Sequence, residues 1–175
     1  ILDSSAIIDG RIAEVLDTRL VSVPVVIPDY VIRELQTIAD SADRIKRQRG
    51  RRGLDIVSHL QQNENARVIV RETDAPANAP VDDLLVRLAK EINGRIITTD
   101  FNLNKVSTIE GITVINVNDI ANAVKPAVLP GETMPIKIIR NGQEPGQGVG
   151  YLEDGTMVVV ENAAEQIDKT VEITV

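Results

Sequence analysis

Four acidic residues stand where alternating strands and helices could bring them to one edge: Asp3 after Ile1-Leu2, Glu34 in Val31-Ile32-Arg33-Glu34-Leu35, Asp82 in Val81-Asp82-Asp83-Leu84-Leu85, and Asp100 after Ile96-Ile97-Thr98-Thr99. Carboxylates gathered without histidine make an all-oxygen site, which suits the hard ions Mg²⁺ or Mn²⁺. Such ions orient phosphate oxygens and activate water for hydrolysis. With no cation between them, the same carboxylates would repel one another and hold their protons more tightly. Composition narrows the alternatives. There is no cysteine, which excludes disulfides, thiolate ligands and cysteine nucleophiles. The single histidine, His59, argues against a serine–histidine triad. Aromatic residues are 2% of the chain, too few for base stacking to dominate recognition.

Each acid also has a simpler role. Asp3 either caps a helix or sits at the carboxyl edge of a parallel sheet, where open α/β sheets gather ligands. Ser5 either holds the Asp3 carboxylate by a hydrogen bond or is a turn residue. Asp9, before Gly10, either caps the next helix or assists the site. Glu34 falls at the edge of the apolar stripe Val31, Leu35 and Ile38 at about 100° per residue, a costly place for a carboxylate unless a cation or donor meets it. On the helix starting at Val81, the inward face is expected to be Val81, Leu85, Ala89 and Ile92, with Leu88 beside it. Asp82 lies about 60° from the centre of that face and is the candidate ligand, whereas Asp83 points away as a cap or solvated neighbour. Both occupy a first turn, where the helix dipole favours negative charge in any case. Asp100 ends a strand, with Asn102 as a neutral helper. The run Asp100-Phe101-Asn102-Leu103-Asn104 is no calcium loop, since Lys105 and Gly111 stand where Gly and Glu are needed.

The elements that must position these acids follow from two alternating periods. Short β-branched runs at 25–27, 68–70, 96–98 and 113–115 are separated by helical patterns predicted near 10–18, 29–40, 42–63, 81–93, 102–110 and 118–124. Together with an opening strand that ends at Asp3, this is an α/β arrangement with a parallel sheet. Pro28-Asp29 and Pro80-Val81 suit helix starts, Gly94 and Gly111 suit C-caps, and Thr73–Pro80 reads as a loop. The pattern changes at Lys125-Pro126-Ala127-Val128-Leu129-Pro130-Gly131, which divides the chain into residues 1–125, a linker at 126–131 and a second domain at 132–175. That domain carries strands at 136–140, 148–152, 157–160 and 171–175, split by the hairpin signals Asn141-Gly142 and Asp154-Gly155. It is expected to form a small antiparallel β-barrel lacking its closing strand. Gly146-Gln147-Gly148-Val149-Gly150 is a flexible hairpin arm rather than a phosphate cradle, because no Lys-Ser/Thr follows it.

Net charge is −7, with 16 basic against 18 acidic residues before position 126 and 3 against 8 beyond it. Arg44, Lys46, Arg47, Arg49, Arg51 and Arg52 nevertheless form a dense basic cluster. It either contacts a phosphate backbone or pairs with Asp40, Asp43 and Asp55 as a solvated helix face. No apolar run approaches the roughly 18 residues of a membrane span, and no signal peptide is visible. The chain opens inside a strand without a methionine, so more sequence is expected upstream.

The order of the acids resembles the PIN-domain nucleases, on Leu2-Asp3-Ser4-Ser5, the Glu34 block, Val81–Ala89 and Thr98-Thr99-Asp100. Ile7-Ile8-Asp9-Gly10-Arg11, Asp100–Lys105 and Ala121–Glu132 are similar to the bacterial PIN–TRAM subgroup, and the tail from Glu132 resembles a TRAM domain. The resemblance implies a Rossmann-like sheet in order 3-2-1-4-5 and Mg²⁺- or Mn²⁺-dependent endoribonuclease activity. Asp3, Glu34, Asp82 and Asp100 would serve as catalytic metal ligands, with RNA as partner. It further implies a homodimer or higher oligomer, and a cytoplasmic chain whose full-length relatives often carry transmembrane helices ahead of it. Two rival readings remain. One is an aspartyl phosphatase with Asp3 as nucleophile, disfavoured by Ser5 where a second acid is wanted. The other is a non-catalytic RNA-binding or regulatory module with a vestigial metal site.

Overall fold

The computed structural model describes residues 1–76, 78–125, 128–152 and 154–175. Ala77, in the expected loop, and Pro126 and Ala127, in the expected linker, lie outside the described residues. Two compact units divide between Ala123 and Val124. Among the described residues no helix is long and apolar enough to cross a membrane.

The first unit interleaves β1 (Val25–Pro28), β2 (Val68–Arg71), β3 (Ile96–Thr98) and β4 (Val114–Asn116) with α1 (Ser4–Asp9), α2 (Arg11–Asp17), α3 (Asp29–Ala39), α4 (Arg44–Gln61), α5 (Val81–Ile92), α6 (Phe101–Ile109) and α7 (Val117–Ala123). Its strands form two parallel pairs, β1 with β2 and β3 with β4, rather than one continuous sheet. The opening residues are extended and bond to both pairs. Leu2 N donates to Val26 O at 2.8 Å, Asp3 N to Ile97 O at 3.0 Å, and Ile97 N to Ile1 O at 2.8 Å. Leu2, Ile27 and Ile96 are fully buried around this junction.

Two local features depart from the sequence expectation. Ser4–Asp9 is a helix of its own, capped by the Asp3 side chain and ended by Gly10 at φ +88°, so the helix expected at 10–18 begins one residue later as α2. Gly94 is not the C-cap of α5. Asn93 takes that place in the left-handed region at φ +49°, tolerable because its short side chain suits this conformation.

The packing of α4 on α3 is set by glycine. Gly50, Gly53, Val57 and Leu60 are its buried stripe. A Cβ on Gly50 would stand 2.2 Å from Ala39 N, and one on Gly53 would stand 2.7 Å from Leu35 Cδ2. The close approach fixes the rotation of α4 and turns its cationic side outward.

The second unit is an antiparallel sheet in order β7-β6-β5-β8, from β5 (Thr133–Asn141), β6 (Gly148–Tyr151), β7 (Met157–Val160) and β8 (Thr170–Thr174). The nine residues of β5 pair with β8 through their first half and with β6 through their second. Ile136 and Ile138 alternate inward along β5 and form the core with Ala163. Among the described residues this is a four-stranded sheet, not a closed barrel. Gly155, at φ +82°, makes the β6–β7 turn. Asn141-Gly142 does not form a two-residue hairpin: Asn141 ends β5, and Gly142 N donates to Gln147 O at 2.7 Å across a longer loop.

Candidate functional site

Asp3 is buried, 4% exposed, at the N-terminus of α1. An uncompensated carboxylate at such depth would be costly. It is held instead by hydroxyls: Ser5 Oγ donates to Oδ2 at 2.5 Å and Thr98 Oγ1 donates to the same oxygen at 2.7 Å. Each hydroxyl also accepts from the chain after β3, Ser5 Oγ from Thr99 N at 3.0 Å and Thr98 Oγ1 from Asp100 N at 2.9 Å. One network therefore ties the first acid to the backbone that presents the fourth. Thr98 is the member sequence reasoning missed. It is fully buried at the end of an Ile-Ile strand, where a threonine reads simply as a β-former.

Asp100 caps α6, its Oδ1 accepting from Asn102 N at 2.6 Å and Leu103 N at 3.1 Å. Asn102 thus enters through its backbone, with an exposed side chain. Glu34 is half-buried on α3. Burial pushes its carboxyl up; the Ser4 hydroxyl opposes that rise, and the negative charges of Asp3 and Asp82 add to it. Its Oε2 is buried with no hydrogen-bond partner among the described residues.

Asp82 is placed differently from expectation. The buried face of α5 is Leu84, Leu85, Leu88 and Ala89, with Val81 half-buried, so Asp82 stands at the rim with its residue surface open to solvent. Its carboxyl is still raised, first by partial burial and then by the charges of Asp3, Asp100 and Asp83. Asp83 is exposed beside it. Glu34 therefore feels the charges of Asp3 and Asp82, and Asp82 those of Asp3 and Asp100. Among the described residues no three of the four acids sit close enough to form a ready-made cation cage. Asp9 is turned aside: Arg11 Nε donates to its Oδ1 at 2.7 Å and Arg11 Nη2 to its Oδ2 at 2.8 Å, and that pairing holds its carboxyl below the usual range.

The basic cluster lies along α4. Arg44, Lys46, Arg49, Arg51 and Arg52 are exposed and Arg47 is half-buried. Among the described residues none of the six forms an ion pair, with Asp40, Asp43, Asp55 or any other acid. Asp43 instead caps the helix, accepting from Ile45 N at 2.8 Å and Lys46 N at 2.9 Å. Arg52 donates to Asp9 O at 3.0 Å, and Arg44, Arg47, Arg51 and Arg52 line one open groove.

Comparison with known proteins places this geometry in context. The TRAM domain family model matches residues 127–175. Across all 175 residues the chain is 50% identical to the PIN and TRAM-domain containing protein YacL of Bacillus subtilis (strain 168), covering 48% of that protein. It is 45% identical to the PIN and TRAM-domain containing protein slr1972 of Synechocystis and 38% identical to TTHA0540 of Thermus thermophilus, covering 49% and 51% of them. The chain spans about half the length of these curated relatives. A domain of a functionally unknown protein from Methanocaldococcus jannaschii superposes with a TM-score of 0.57 at 23% identity, over 66% of this chain and 88% of that one, a likeness of fold alone.

Proposed function

We propose that this chain, similar over its whole length to proteins named as PIN and TRAM-domain containing, is a divalent-metal-dependent endoribonuclease whose site is built from Asp3, Glu34, Asp82 and Asp100. The observation that carries this reading is Glu34. Its Oε2 is buried without a donor among the described residues, and both Asp3 and Asp82 act on this carboxyl electrostatically. A cation is what such a group lacks. The donor set is all oxygen, which fits Mg²⁺ or Mn²⁺, and these ions keep several waters and need only one or two direct carboxylates. An open arrangement without a finished cage is therefore compatible with them. Asp3, Glu34, Asp82 and Asp100 would hold the ion or ions directly or through water. Bound there, the metal would neutralise phosphate charge and lower the pKa of water.

The chain's own residues do the positioning. Ser5 and Thr98 fix the Asp3 carboxylate, and Asp83 adds to the field at the rim. In hydrolysis, a water oxygen joins phosphorus as the P–O3′ bond breaks and the 3′ oxygen leaves with a proton, giving 5′-phosphate and 3′-hydroxyl ends. The cations of α4, without ion pairs among the described residues, would meet the RNA backbone, with affinity falling as salt rises. The expected order 3-2-1-4-5, counted from residues 1–3 as its first strand and so running β2, β1, residues 1–3, β3, β4, belongs to the same proposal; the bonds of Leu2 and Asp3 to both strand pairs support it.

The test is cleavage of RNA in Mn²⁺ by the parent chain and by Asp3→Asn and Asp82→Asn. Loss of cleavage in both variants, with unfolding curves still cooperative, is the expected result. Retained cleavage in both removes the site. The TRAM match at residues 127–175 favours one rival, a non-catalytic RNA-binding module. Metal-independent RNA binding with no cleavage by the parent chain would establish that rival.

A further inference from the structure

Tyr30, one helical turn ahead of Glu34 on α3, is 5% exposed, and its hydroxyl is buried with no hydrogen-bond partner among the described residues. An unmet buried hydroxyl is costly, and a ligand acceptor or donor that reached it from the bordering cavities would relieve that cost. Tyr30 and Leu84 together border two adjoining cavities. One, of about 280 Å³, continues past Arg71, Asp74, Arg87 and Glu91. The other, of about 340 Å³, continues past Arg33 and Thr37 to Glu34. The two make a trough along α3 that leads away from the acidic site.

The lining selects its occupant. Over an apolar floor that includes Leu84 and Leu88, the first cavity offers guanidinium donors and carboxylate acceptors side by side. Three acids, Glu72, Asp74 and Glu91, stand against two guanidiniums, and Arg71 already donates to Glu91 at 2.6 Å. A bare anion is therefore poorly served, and so is a purely apolar molecule. A nucleobase has an apolar face and an edge carrying both donors and acceptors, and its phosphate can be met by one further cation such as Arg87. Burial holds the Tyr30 phenol protonated, so it remains a donor at neutral pH.

We propose that the Tyr30 trough binds one unpaired nucleotide, as a subsite next to the Glu34 end of the acidic site. The inference rests on the ribonuclease reading for its source, an RNA strand; a free mononucleotide presents the same chemistry.

The experiment titrates the four nucleoside 5′-monophosphates into the metal-free 175-residue chain and into Tyr30→Phe, Arg87→Ala and Asp82→Asn, following amide shifts by NMR. The expected result is saturable binding of at least one of them, with shifts at Tyr30, Leu84 and Arg87. Binding should weaken about three- to tenfold in Tyr30→Phe and Arg87→Ala and hold in Asp82→Asn. Competition by an oligoribonucleotide assigns the subsite to RNA, and no competition assigns it to a free mononucleotide. No binding to the folded parent at millimolar concentration, or binding unchanged in both Tyr30→Phe and Arg87→Ala, overturns the proposal. Tyr30-dependent binding in a chain that cleaves no RNA leaves the subsite standing and removes the ribonuclease reading. Cleavage with no nucleotide binding does the reverse.

Discussion

At the scale of single residues, the site is a balance between burial and mutual repulsion. Glu34 and Asp82 both have raised carboxyls in the folded chain, from burial and from neighbouring acids. Above the ordinary carboxylate value of about 4, the folded state therefore holds more protons than the unfolded one, and stability falls as pH rises through that window. Asp9 is lowered and acts in the opposite sense, its contribution being lost only as pH falls below the usual range. The metal-free chain should accordingly show an unfolding temperature that declines as pH rises from about 4 toward 6, above which the buried Ile1 ammonium, lowered to about 6, acts in the opposite sense. Glu34→Gln should flatten that decline, and an unchanged slope would mean that Glu34 is not part of the cluster. Much of this was visible in the sequence. Asp3 and Asp100 end apolar runs, and Glu34 breaks a stripe of period 3.6. Asp82 was harder, because Val81, Leu85, Ala89 and Ile92 suggest one inward face while packing chooses Leu84, Leu85, Leu88 and Ala89. Thr98 gave no signal at all, since its role depends on a carboxylate partner 95 residues away.

At the scale of elements, α4 shows how packing can dictate what a surface offers. An arginine-rich helix with two glycines looks weak by propensity, each glycine costing about 1 kcal/mol against alanine in a helix interior. Here Gly50 and Gly53 are the seam against α3, and the cations face outward because the glycines face inward. Gly50→Ala should therefore destabilise by about 1–3 kcal/mol despite its better propensity, the new Cβ meeting backbone atoms that cannot easily yield. Urea unfolding measures it, and a neutral or stabilising result would contradict the close seam. The short helix Ser4–Asp9 was hidden for another reason. It is too short to show a period and depends on the Asp3 cap and on the left-handed backbone of Gly10.

At the scale of the whole molecule, two units carry cores of unequal size. The first buries side chains from its opening residues, β1, β3 and most of its helices, whereas among the described residues of the second the buried hydrophobic side chains are Ile136, Ile138, Val149 and Ala163. Units shorter than roughly 60 residues bury too small a fraction of their surface to be robust alone. Produced separately, residues 1–123 should unfold cooperatively and at a higher temperature than residues 124–175. The reverse order would show that the small core is underestimated. The change of pattern after Lys125 signalled this division, because hairpin signals replace helical periods there. Whether the second sheet closes on itself was not readable, since strand count alone does not fix closure.

The central claim is that scattered acids share one electronegative locus that a divalent cation neutralises. Calorimetric titration of Mn²⁺ into the metal-free chain, beside Asp82→Asn and Glu34→Gln, tests it most directly. Saturable binding to the parent at neutral pH, weakened strongly in both variants, is the expected result. A parent chain that takes up no Mn²⁺, or variants that bind it as tightly as the parent, would contradict the account.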